Sequence, residues 1–211
     1  KDELEKIKEL YATLDSGEFV VVYGRRRVGK TAFIKKFLES IDGKKIYYMV
    51  NKTGKEEQFG VLSDTIYDQR GERVDFRTWK AVLSYLEERS QKEKLVVVFD
   101  EFPRFQEIAP EFITQLQDAW DSMLKNNKLL LIAIGSSMSM MYQIFMQQTA
   151  PLYGRITYSF HMEPFQYVDF RMMFPNLQEE EKIRLYSIFG GTPHFLWFVK
   201  NTVLKDVFSI I

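Results

Sequence analysis

The segment EFVVVYGRRRVGKTAFIKKF, residues 18–37, decides the fold. It opens with a short, β-branched apolar run that stops at glycine, which reads as a buried strand. Gly24-Arg25-Arg26-Arg27-Val28-Gly29-Lys30-Thr31 then fits G-x-x-x-x-G-K-[ST] without a gap. A helical pattern follows from Lys30 to about Ser40. Strand, glycine loop and helix in this order predict a phosphate cradle. The glycines let the main chain wrap an anion in conformations barred to other residues. The amides of Gly24, Arg27, Val28, Gly29, Lys30, Thr31 and Ala32, with the helix N-terminus, are the expected phosphate donors. Lys30 places a positive charge near the β- and γ-phosphates, and the Thr31 hydroxyl is a hard oxygen ligand suited to Mg²⁺.

The three arginines occupy the variable positions of the motif, where backbone does the phosphate work. Their side chains are expected on the surface beside the site, or against a partner or the protein's own tail. A nucleic-acid role is the weaker reading, because Lys plus Arg equals Asp plus Glu at 29 each and such proteins carry a basic excess. Nucleic acid is expected to be reached only through a C-terminal region beyond this chain.

Outward from the loop, strands alternate with helical stretches. KKIYYMV (44–50), KLVVVFDEF (94–102) and KLLLIAIGSS (128–137) read as further strands, and RITYSF (155–160) as a fifth. Between them helices are expected over about Lys55 to Gln69, Phe76 to Ser90, Pro110 to Asn126 and Met138 to Gln147. Such alternation predicts right-handed βαβ units and a parallel sheet covered on both faces. After Glu163 the pattern is helical to the end, broken at Phe174-Pro175-Asn176 and Gly190-Gly191. The expected organisation is a P-loop core over residues 1–162 and a small helical lid over 163–211.

LVVVFDE resembles a Walker B segment. Ligands of parallel sheets lie at the C-terminal ends of strands, so Asp100 is expected beside the loop, holding Mg²⁺ through a water. Glu101 follows, placed to polarise an attacking water. A full strand intervenes between the loop and this segment, which suits the additional-strand P-loop ATPases with sheet order 5-1-4-3-2. Ser136, at the end of the fourth strand, is a candidate for sensing the γ-phosphate or the attacking water, with helix capping as the alternative. Arg155 is a candidate arginine finger, in cis or from a neighbouring subunit, with a structural ion pair as the alternative.

Composition narrows the classes further. The chain has no cysteine, which removes disulfides, thiolate metal sites and a cysteine nucleophile. Two histidines, His161 and His194, form no recognisable metal spacing. The apolar run Leu129 to Ile134 is far shorter than the ~20 residues of a spanning helix, so no membrane contact is expected and a cytoplasmic location is. Both ends fall within helical patterns, which points to a longer native protein.

Taken in order, GRRRVGKT, VVVFDEF, IGSS, APLYGR and GGTPHFL resemble the archaeal-type ATPase family, within the STAND class of signalling P-loop ATPases related to AAA+ proteins. KDELEKIKELY resembles the first helix of that family. The resemblance implies ATP/ADP with Mg²⁺, Lys30 and Thr31 on phosphate and metal, Asp100 on the metal and Glu101 in hydrolysis. It also implies that Pro193, in the glycine-x-proline segment Gly191-Thr192-Pro193, touches the nucleotide. The implied activity is slow, switch-like ATP hydrolysis, with a protein partner, the protein's own C-terminal region or nucleotide-dependent self-association as the readout. A nucleotide-binding module with little turnover and a P-loop phosphotransferase are the alternatives. A phosphotransferase lid is usually arginine-rich, and this one holds only Arg171 and Arg184.

Overall fold

The computed structural model describes residues 2–201; the expected helical continuation over residues 202–211 lies outside them. Two compact units are present. Among the described residues, the first comprises 2–23 and 31–161, and the second joins Gly24–Lys30 to 162–201.

The first unit is built on five parallel strands: β1 (Glu18–Tyr23), β2 (Lys44–Met49), β3 (Leu95–Asp100), β4 (Leu129–Gly135) and β5 (Tyr158–His161), in the order β2-β3-β4-β1-β5. This is the expected 5-1-4-3-2 arrangement. Every residue of β3 and β4 is buried, so both faces are covered, and a near-continuous apolar run is what such strands require. The helices of this unit are α1 (Asp2–Ala12), α2 (Lys30–Glu39), α3 (Lys55–Arg70), α4 (Trp79–Lys92), α5 (Phe105–Ile108), α6 (Pro110–Ser122) and α7 (Met138–Met141).

Elements depart from the sequence reading where side chains compete for the backbone. Helix α4 starts at Trp79 rather than near Phe76, because the Thr78 hydroxyl accepts a hydrogen bond from Ala81 N at 3.1 Å and caps it. The segment expected as one helix over Met138–Gln147 is a single α-turn followed by a π-turn over Tyr142–Met146. After Asp100, a short 3₁₀ turn (Phe102–Arg104) leads into α5, which the sequence reading left out. Phe102 of this turn and Phe105 of α5 are fully buried among Phe99, Phe112 and Phe145. Trp79 adds a ring edge-on to Phe105. Each such ring contributes about 2–3 kcal/mol of burial, so the segment carrying Glu101 is fixed from below.

Strand β2 is a sheet edge. The Gln69 side chain closes it locally, accepting from Tyr47 N at 2.7 Å and donating to Tyr47 O at 3.0 Å. A side-chain amide thus stands where a further strand would pair.

The second unit contains α8 (Tyr167–Met173), α9 (Glu179–Phe189) and α10 (Pro193–Asn201) around a core of Phe170, Phe174, Leu185, Leu196 and Val199. Gln178 and Glu181 form a capping box at the start of α9, which gives one acid of the run there a structural role. The turn between α9 and α10 is tied to the start of the unit: Phe165 N donates to Gly191 O at 2.8 Å. A Cβ on Gly191 would lie 1.7 Å from the Phe165 carbonyl oxygen, so only glycine permits this approach.

Candidate nucleotide site

The loop after β1 is closed on itself. Gly24 has φ +150, and a Cβ there would stand 2.1 Å from the Met162 carbonyl oxygen. Lys30 is 5% exposed, and its Nζ donates to the carbonyls of Gly24 and Arg25, each at 2.8 Å. The main chain therefore curls around the lysine ammonium at the start of α2, where the helix dipole also favours an anion. Val28 is buried, and Arg25, Arg26 and Arg27 are exposed. Arg27 takes a left-handed conformation, φ 69, and its guanidinium carbon lies 5.6 Å over the Phe195 ring of α10. The arginines thus sit on the surface, and one of them meets the protein's own tail. Pro193 approaches the second loop glycine: its Cγ is 3.9 Å from where a Cβ on Gly29 would stand. The two motifs singled out in sequence, far apart along the chain, meet within one unit.

The acidic part belongs to the first unit. Thr31 Oγ1 donates to Asp100 Oδ2 at 3.0 Å, and Asp100 Oδ1 accepts from Glu101 N at 2.9 Å. Asp100 is 3% exposed. Glu101 is held in the left-handed region, φ 58. For a non-glycine residue this costs on the order of 1 kcal/mol, and such strain gathers at functional positions. Ser136 Oγ lies 3.5 Å from Glu101 Oε1, so the end of β4 brings its hydroxyl to the acid that follows β3. Ala32 is exposed in the first turn of α2.

A divalent cation fits this donor set. The Thr31 hydroxyl gives its proton to Asp100, which leaves its oxygen lone pairs as acceptors for a hard cation. Among the described residues no group of three or more His, Cys, Asp or Glu side chains could hold a metal alone.

Arg155 stands in an ion pair, the structural alternative to an arginine finger. Its guanidinium forms a two-pronged pair with Asp121 (Nε to Oδ1 3.0 Å, Nη2 to Oδ2 2.5 Å) and also donates to the carbonyls of Pro151 and Tyr153. Arg155 precedes β5. Thr157 N bonds Phe19 O near the start of β1, whereas the phosphate loop follows Tyr23 at its end. At ~3.3 Å per residue, Arg155 stands about 20 Å from that end of the sheet, beyond side-chain reach. It clamps the turn before β5 to α6.

The sequence reading missed Tyr47. Its hydroxyl donates to Asp100 Oδ2, the oxygen that Thr31 also uses. Burial first, and then the hydrogen bond to Asp100, push its phenol far above the ordinary tyrosine value. Tyr47 therefore remains a donor at any working pH. The register supplies the reason: Tyr47 is opposite Val98 and Met49 opposite Asp100, so Tyr47 and Asp100 share a face. No one-dimensional motif marks that diagonal.

A parallel sheet of this order with a glycine loop after its first strand defines a P-loop ATPase domain. The chain belongs to the family described as an ATPase domain predominantly from Archaea, whose model matches residues 1–199. It is 32% identical over 203 residues to MJECL04, an uncharacterised protein of Methanocaldococcus jannaschii, covering 94% of this chain and 44% of that protein. It also resembles the Walker-type ATPase PABY2304 of Pyrococcus abyssi: TM-score 0.69, 20% identity, 93% of this chain and 64% of that one. A further neighbour is the Aeropyrum pernix ORC2 protein, solved as ADPNP–ADP complexes, with TM-score 0.60 and 17% identity over 82% of this chain and 50% of that one. The chain thus spans less than half the length of its curated relative. Among the described residues no helix is long and apolar enough to cross a membrane.

Proposed function

We propose that this domain binds ATP with Mg²⁺ and hydrolyses it slowly, as a nucleotide-dependent switch. The observation that carries the reading is the 3.0 Å bond from Thr31 to Asp100, with Glu101 next in the chain and in reach of Ser136. In this reading the loop amides and Lys30 take the phosphates, with Lys30 exchanging its carbonyl partners for phosphate oxygens. Mg²⁺, when bound, neutralises charge on the phosphates; Thr31 would hold it and Asp100 would act through a water. Glu101 orients the attacking water and takes its proton as the water oxygen bonds to the γ-phosphorus and the bond to the ADP oxygen breaks. Pro193 lies against the nucleotide beside Gly29. Because Gly24–Lys30 packs with the helices from Met162 onward, nucleotide at the loop would be felt directly by those helices, which suits a switch.

The position of Arg155 favours low turnover in the isolated domain. An arginine finger can be worth ~10³–10⁵ in rate, and this arginine is bound at the other end of the sheet. A second copy or another partner would then supply the missing cation. The test is Glu101→Gln in full-length protein: ADP and ATP affinity should persist and phosphate release should stop. Unchanged release would remove Glu101 from the chemistry.

A further inference from the structure

We propose that Tyr47 is a positioning residue for the magnesium side of the site. Its hydroxyl holds Asp100 in the orientation that lets Thr31 present its oxygen to the cation. The inference rests on the nucleotide reading above and adds a residue outside both Walker segments.

Asp100 is a carboxylate only 3% exposed. Its hydrogen-bond partners include the hydroxyls of Thr31 and Tyr47 and the amide of Glu101. A buried carboxylate needs strong compensation, and these three neutral donors supply part of it. Three donors use most of the roughly four lone-pair positions of a carboxylate. That leaves Asp100 suited to a water on the cation rather than to direct ligation. Two of the donors converge on Oδ2. If the Tyr47 hydroxyl were absent, that oxygen would keep only Thr31, and the carboxylate could rotate or pull the threonine with it.

The placement of Tyr47 is built into the sheet edge. Its ring must span one strand spacing across and two residues along, about 8 Å between Cβ atoms, which is within reach of a tyrosine and too far for a short side chain. Gln69 bonds both the amide and the carbonyl of Tyr47, so the backbone from which the ring projects is fixed although β2 has no strand on that side. Lys35 Nζ lies 5.9 Å from the ring centroid, on α2, the helix that carries Thr31. Outer partners of this kind typically alter metal affinity by about 10–100-fold when removed.

The test is Tyr47→Phe in the full-length protein, with ADP affinity titrated against Mg²⁺ and also measured with Mg²⁺ chelated. Wild type should bind ADP in both conditions and more tightly with Mg²⁺. The variant should match wild type without Mg²⁺ and need about tenfold more Mg²⁺ to reach half of the gain. An unchanged Mg²⁺ midpoint overturns the role of Tyr47 while leaving the nucleotide reading intact. An equal loss of ADP affinity with and without Mg²⁺ also overturns it, because that marks a packing residue. Wild type that binds no ADP in either condition overturns the nucleotide reading itself.

Discussion

Thr31 and Asp100, 69 residues apart in sequence, meet at 3.0 Å between Oγ1 and Oδ2. The contact joins the first turn of the helix after the glycine loop to the end of a strand that is not its neighbour in the sheet, since β4 lies between β1 and β3. The arrangement ties the start of α2 to the acids at the end of β3.

Lys30→Ala should abolish the thermal stabilisation by Mg-ATP. At ligand a hundredfold above its dissociation constant the wild-type gain is roughly 2.7 kcal/mol, read as a rise in melting temperature. The variant without ligand should itself melt lower, because the carbonyls of Gly24 and Arg25 lose their partner. The decisive quantity is the ligand-induced shift; a shift equal to that of wild type would sink the loop assignment.

Glu101→Gly should separate stability from turnover. The residue sits at φ 58, where glycine is unstrained, so relief of about 1 kcal/mol is expected in a denaturant titration. Phosphate release should fall to background. A variant that is both less stable and fully active would contradict the strain argument and the catalytic one together.

Arg155→Ala should lower stability by about 1 kcal/mol, the scale of a well-formed surface pair, and leave the turnover of the monomeric protein unchanged. The Asp121 carboxyl is held below its usual range, first by the hydrogen bond from Arg155. A depressed carboxylate contributes stability above its unfolded pKa, near 4, and loses it as pH falls through the lower folded value. The deficit of Asp121→Asn against wild type should therefore shrink below about pH 4 in thermal melts. A fall in monomer turnover would restore Arg155 to the reaction.

Gly191→Ala should destabilise the helical unit by about 1–3 kcal/mol or more, because the new methyl meets a main-chain oxygen rather than a flexible side chain. Limited proteolysis after Glu163 should quicken in this variant. An unaltered digestion pattern would mean that the Phe165 turn can move aside at no cost.

The sequence by itself determined the fold: short apolar strands alternating with helical stretches, and a loop whose glycines and lysine leave little choice of ligand. It also marked the acids, because a motif is a local pattern and each of these residues belongs to one. Only the tertiary structure decided what depends on strand order and register. It placed Tyr47 on the face of Asp100, set Pro193 beside Gly29, and paired Arg155, just before β5, with Asp121 of α6. A local motif carries no record of which residues of neighbouring strands stand opposite one another. Parallel pairing fixes strand direction, so an arginine before a strand and an acid after one come to lie a whole sheet height apart.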